Sequence, residues 1–107
     1  KLIVERASKL PANVPFLLTG DFNAPATSDV HQLFAEKWKD VREASPFQFG
    51  PEGTFNGFKG TSDGPRIDWI FVRNGLRPLQ THAVTLNLNG RYPSDHFAVF
   101  SVLRFEP

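Results

Sequence analysis

Cysteine and methionine are both absent from the 107 residues. Without Cys, disulfide frameworks, thiolate zinc sites and cysteine nucleophiles are excluded, and the redox compartment is left undetermined. Without Met, and with Lys1 in first place, the chain is expected to be preceded by further sequence. No apolar run approaches the ~18 residues of a membrane-crossing helix. Nor does the opening KLIVERASKL read as a signal peptide, because Glu5, Arg6, Ser8 and Lys9 interrupt it. An excess of one charge is also missing: 12 Lys and Arg against 11 Asp and Glu leave +1. That excludes a protein that holds nucleic acid mainly by bulk basicity, so any phosphate recognition must be local. Repeats, low-complexity tracts and linkers are absent, and no feature assigns a compartment. What is present is apolar: 40% hydrophobic residues, including 11 Phe and 2 Trp, against 21% charged residues exclude a disordered chain. The length suits one domain, burying somewhat under the roughly two-thirds of its surface expected of a ~150-residue domain.

Residues 1–10 read as the tail of a helix, with Ile3, Ala7 and Leu10 at helical spacing, no capping residue before them and Pro11 behind. VPFLLT, residues 14–19, is a short apolar run that predicts a strand buried on both faces. In APATSDVHQLFAEKW, Thr27 or Ser28 can cap a helix carrying Val30, Leu33, Phe34 and Trp38 on one side. Gly and Pro recurring between Arg42 and Pro65, among them Pro46, Gly50, Pro51, Gly53, Gly57 and Gly60, mark a long loop around GTFNGF, and a loop of that length tends to border a site. RIDWIFVRN reads as a strand, LQTHAVTLNL as another, and HFAVFSVLRF, apolar on both faces, as a central strand.

Three short segments carry groups suited to chemistry. In GDFN an extended backbone would put Asp21 and Asn23 on one side and Phe22 in the core. A carboxylate there can orient or deprotonate water, and an amide can donate to a phosphoryl oxygen. The alternative is an Asx-type turn that merely ends a strand. In RIDWIFV, Arg66, Asp68, Ile70 and Val72 share one face while Ile67, Trp69 and Phe71 share the other. Arg66 and Asp68 read either as a buried ion pair or as a carboxylate that orients something catalytic. SDHF supplies the partner: a His held by a carboxylate has a fixed tautomer and a proton available near neutral pH. Asp95 beside it can hold a hard cation, since Mg2+ and Mn2+ favour carboxylate oxygens, although a plain Ser-Asp turn is the alternative. Together, three carboxylates, one amide and one imidazole make the parts list of metal-assisted phosphoester hydrolysis.

The ordered set GDFN, RIDWIF and SDHF, reinforced by GTFNGF, resembles the C-terminal part of the endonuclease/exonuclease/phosphatase superfamily, over Gly20 to Val99. The resemblance implies an α/β fold, the C-terminal half of a four-layer sandwich of two mixed β-sheets with helices outside, as in pancreatic-type deoxyribonucleases. Residues 1–107 would be the C-terminal part of that single domain and supply roughly one sheet's share. By motif, Asp21 would orient or activate the attacking water and Asn23 would contact the scissile phosphate. His96 would stabilise charge on that phosphate or protonate a group, Asp68 would hold His96, and Asp95, with Asp21, would serve the Mg2+ or Mn2+ site. Arg66, Phe55, Asn56 and Trp69 are candidate substrate-side residues, Asn56 standing where many bacterial members have His. The substrate would be a phosphate ester: a nucleic acid, an inositol phosphate, a phospholipid head group or a small phosphodiester.

The family's N-terminal half, with its principal metal-binding glutamate, has no counterpart here, because none of Glu5, Glu36, Glu43, Glu52 and Glu106 sits in the required motif. A half-domain is expected to be inactive alone, to bind metal poorly, and to expose an apolar sheet face that invites dimerisation. Competing readings are a non-catalytic binding or adaptor module on the same scaffold, and an unrelated β-rich carbohydrate- or protein-binding domain. Lys59, Arg66, Arg73, Arg77 and Arg91 could line one edge of a phosphate site, with solvated surface charge as the alternative for Arg73 and Arg77.

Overall fold

The computed structural model describes residues 1–106. Chain order gives α1 (Leu2–Ala7), β1 (Leu17–Asp21), α2 (Asp29–Ala35), β2 (Lys39–Asp40), α3 (Val41–Ala44), β3 (Phe47–Phe49), β4 (Asp68–Val72), β5 (Leu76–Val84) and β6 (Ala98–Phe105). The strands form two three-stranded sheets, β1-β4-β2 and β3-β5-β6, so the chain contributes to both sheets rather than one sheet's share. The first is antiparallel throughout, whereas the second pairs β3 parallel and β6 antiparallel to β5. No helix of the described residues is long and apolar enough to cross a membrane.

Alternation along β4 builds the layers. Trp69 and Phe71 point to one face and pack with Phe34 of α2, joined by Leu18, Phe22 and Trp38. Ile70 and Val72 point to the other, where Val41 of α3 and Leu76 and Leu103 of the second sheet meet them. This is the face division that the strand period predicts. The α2 helix starts at Ser28, whose hydroxyl accepts from the His31 N–H at 3.2 Å and settles which residue caps it. Its buried stripe is His31 and Phe34, and Val30 is exposed. In α1 the inward residues are Val4 and Ala7, with Ile3 and Leu10 exposed.

Both strands predicted to be buried on two faces are edge strands. β1 alternates, with Leu18 in the core and Leu17 exposed, and β6 turns Phe100 and Val102 outward. Phe47 and Phe49 of β3 share that outer face, where Phe49, His82 and Phe100 stack at centroid separations of 4.6 and 4.2 Å. It is the exposed apolar sheet surface expected from the sequence. The stretch read as one loop from Arg42 to Pro65 holds most of α3 and all of β3, four and three residues long. β5 begins earlier and ends earlier than predicted, leaving Leu86 and Leu88 exposed beyond it.

Candidate active site

Register places the first two acids. In the antiparallel β1–β4 pair, Asp21 and Asp68 are direct cross-strand partners at one end of the sheet. Opposed like charges repel, and a proton or a cation would relieve that repulsion. His96 enters from the segment before β6, where Phe55 and His96 form an isolated antiparallel bridge. Its Nδ1–H donates to Asp68 Oδ2 at 2.7 Å. That fixes the tautomer and turns Nε2 toward Asp21 Oδ2 and Asp95 Oδ1, each 3.9 Å away. These last separations are beyond hydrogen bonding but short enough for strong electrostatic coupling. The hydrogen bond to Asp68 is the largest influence on His96 and raises its pKa above the ordinary value. Partial burial opposes this, while the charges of Asp68, Asp21 and Asp95 reinforce it.

Three expected residues, Asp21, Asp68 and His96, thus come together, and Asp95 joins them on the Nε2 side. Asn23 lies beside them on a turn: β1 ends at Asp21, and Asn23 adopts a left-handed backbone with φ 50° and donates its N–H to Asp21 Oδ1 at 2.9 Å. Of the two readings of GDFN, the Asx turn is the one present, and it pins one Asp21 oxygen while leaving the other toward His96. Phe22 does enter the core, stacked on Trp69 at 4.6 Å.

The substrate-side expectations divide. Phe55 is partly exposed and meets the His96 ring edge-on at 5.6 Å. Trp69 is buried within the aromatic core, and Asn56 is buried with its backbone N–H on the Asp95 carbonyl at 2.7 Å. Arg66 does not pair with Asp68 but is buried and bidentate on Asp40, at 3.2 and 2.7 Å. Burial takes these three side chains away from the open site. Arg73 and Arg77 are also engaged elsewhere, on the Pro11 carbonyl at 2.8 Å and on Glu106 at 3.1 Å.

The donor set fits a divalent cation. Asp21 and Asp95 offer hard oxygens with half-exposed side chains, and their negative charge exceeds what one imidazolium can balance. A second cluster of His31, Asp40 and Glu43 has suitable spacing but not suitable charge. Asp40 already accepts from Arg66, from His31 Nε2 at 2.6 Å and from the Arg42 N–H at 2.9 Å, so it has little left for a metal. Nothing in the sequence singled out Asp40, because its partners are 9 and 26 residues away.

The Endonuclease/Exonuclease/phosphatase family profile matches residues 2–96. A conserved protein of unknown function from Enterococcus faecalis V583 is 37% identical, with a TM-score of 0.88 over 98% of this chain and 42% of that one. A mannosyl-6-phosphatase from Bacteroides thetaiotaomicron VPI-5482 is 31% identical, with a TM-score of 0.88 over 97% of this chain and 43% of that one. A family protein from Bacteroides thetaiotaomicron is 30% identical, with a TM-score of 0.90 over 98% and 42% of the respective chains. The chain therefore spans less than half the length of each of these structures. No curated protein matches it.

Proposed function

The chain belongs to the Endonuclease/Exonuclease/phosphatase family, and on that premise we propose that it is the C-terminal portion of a Mg2+- or Mn2+-dependent phosphoesterase. The observation that carries this reading is the orientation of His96, with Nδ1 bound to Asp68 and Nε2 presented between Asp21 and Asp95. A group that donates at Nε2 can stabilise charge developing on a phosphoryl oxygen; Asp68 holds the Nδ1 proton and favours the imidazolium, in which Nε2 carries a proton as well. Asp21, with one oxygen pinned by the Asn23 N–H, orients the attacking water with the other. The exposed Asn23 amide donates to the scissile phosphate, and Asp95 and Asp21 hold the cation. A divalent cation held there would supply charge neutralisation and would lower the pKa of a bound water.

Phosphorus is attacked in line by water on this reading, and the leaving alcohol departs with a proton. The mannosyl-6-phosphatase neighbour favours including sugar phosphomonoesters among the substrates. The near-neutral charge of +1 weighs against tight nonspecific duplex binding. The test is a Mg2+/Mn2+-dependent hydrolysis panel on the full-length protein, spanning DNA, RNA, sugar phosphates, inositol phosphates and lipid head groups. Asp21→Asn and His96→Ala should each lower kcat by about 10²- to 10⁴-fold with little change in folding. Near-normal turnover in either variant overturns the assignment, and an intact protein that binds phosphate esters without hydrolysing them returns the adaptor reading.

A further inference from the structure

One buried residue outside the acid–imidazole cluster bonds to both segments that build it. Thr54 is 2% exposed, and its hydroxyl oxygen accepts from the N–H groups of Ile67 at 3.0 Å and Asp68 at 3.2 Å. Its carbonyl accepts from the Phe97 N–H at 2.7 Å, next to His96. Its own N–H donates to the Pro65 carbonyl at 3.0 Å. Beyond it, Phe55 bridges to His96, and the N–H groups of Asn56 and Gly57 donate to the Asp95 carbonyl at 2.7 and 3.1 Å. The strip is held close on its other side too: a Cβ on Gly53 would lie 2.1 Å from the Gly64 carbonyl oxygen. Only a residue without a side chain allows that approach.

We propose that Thr54 is a positioning residue that fixes the separation of Asp68 and His96, a role that deepens the phosphoesterase reading and relies on it for its kinetic consequences. The reason is geometric. The 2.7 Å bond from His96 to Asp68 joins segments 28 residues apart, and each lies at the start of a strand where ladder bonding gives out. Asp68 opens β4, so the N–H groups of Ile67 and Asp68 need an acceptor as the chain enters the sheet. A hydroxyl oxygen has two lone pairs and meets both. A β-branched side chain restricts χ1, so the oxygen stays where the two donors need it. Through its carbonyl the same residue holds Phe97 N–H, which ties the imidazole segment to the carboxylate segment by a path of only one residue.

The test uses the full-length protein containing this chain, with selectively 15N-labelled histidine. The downfield Nδ1–H proton of His96 and its ring 15N shifts report the Asp68 bond at fixed pH without substrate, while kcat and KM report turnover. Thr54→Val keeps the shape and removes the acceptor. It should broaden or move the Nδ1–H resonance and lower kcat by about 10- to 100-fold, with KM altered by less than about threefold. Thr54→Ser should keep the resonance and hold kcat within about threefold of the parent. Thr81→Val is the matched control, a buried threonine whose hydroxyl accepts from Ser101 at 2.9 Å between β5 and β6. It should lower the melting temperature and leave resonance and kcat in place. An unchanged resonance in Thr54→Val overturns the proposal, as does a kcat loss shared equally by Thr81→Val. Should Thr54→Val not fold, Thr54→Ser decides: a folded protein that has lost the resonance overturns it, and one that keeps it supports it. A moved resonance in a protein without hydrolase activity would leave the positioning role standing and remove the phosphoesterase reading.

Discussion

Two histidine–carboxylate pairs flank the first sheet, and their lengths hardly differ: 2.6 Å for His31–Asp40 and 2.7 Å for His96–Asp68. Their surroundings differ in every other respect. The side chains of the first pair are 4% and 2% exposed, and Arg66 binds the same carboxylate through two nitrogens. Those of the second are 23% and 21% exposed, and the far side of the imidazole faces two more carboxylates instead of a cation. The buried pair is electrically closed, since its negative charge has a guanidinium, an imidazole and the Arg42 N–H around it. The open pair keeps a surplus of negative charge beside water. Distance alone offers both as candidate metal clusters, and it is the presence of Arg66 that separates a charge-compensated structural joint from an open cluster with uncompensated carboxylates.

The largest effect should come from opening the closed pair. Arg66→Met strands a buried carboxylate and should destabilise folding by about 3–5 kcal/mol, read as a shift in denaturant midpoint. Asp68→Asn, by contrast, should cost no more than about 1 kcal/mol of folding free energy because its bond is partly solvated. In kcat the second variant should lose about 10²- to 10⁴-fold in the full-length protein. Equal stability losses would erase the distinction drawn between the pairs.

Proton binding should sharpen it next. Burial is the largest influence on Asp40 and would raise its pKa, but hydrogen bonds from Arg66 and His31, the Arg66 charge and the Arg42 N–H together outweigh it and hold the carboxyl below its ordinary 3.8. A depressed carboxyl stabilises the fold above its unfolded pKa, and that contribution is lost as pH falls through the folded value. His96 has the opposite sign. Its raised pKa contributes stability that is complete below the ordinary 6.5 and lost as pH rises through the folded value. Unfolding free energy measured across pH should therefore lose part of its acid limb in Asp40→Asn and part of its neutral-to-alkaline limb in His96→Ala. The same limb affected in both variants would contradict the assignment.

What could be read from the sequence was what short-range order controls. The strand period sorted Asp68, Ile70 and Val72 from Trp69 and Phe71, and the capping rule found the start of α2. The motifs delivered Asp21, Asp68, Asp95 and His96 because each lies at or just before a strand end, where composition changes abruptly. The misreadings have a common cause. Leu17, Phe100 and Val102 are apolar and exposed, so composition made edge strands look central. Of the two readings of Arg66 and Asp68, the ion pair fails, because the partner of Arg66 is Asp40 of β2, 26 residues away, and closeness along the chain does not reveal it. Thr54 lies within GTFNGF, but nothing local marks its hydroxyl, whose importance arises only when residues 67, 68 and 97 converge on it.

The smallest expected effect is also the most selective. Raising Mg2+ or Mn2+ at constant ionic strength should stabilise the folded full-length protein by RT ln(1 + [M]/Kd), about 1.4 kcal/mol at tenfold Kd. Asp21→Asn should abolish most of that increment, because it removes one of the two free oxygens flanking His96 Nε2. Glu43→Gln should leave it intact, even though Glu43 belongs to the other cluster of metal-type side chains. The reason is the 3.6 Å approach of Arg66 to Glu43 on top of its grip on Asp40. A divalent ion entering there would have to displace a guanidinium that is itself buried, whereas at Asp21 and Asp95 it would relieve repulsion already present. Metal stabilisation lost in Glu43→Gln and kept in Asp21→Asn would therefore mean that burial, not net charge, selects the cation site, and the roles given to the two pairs would have to be exchanged.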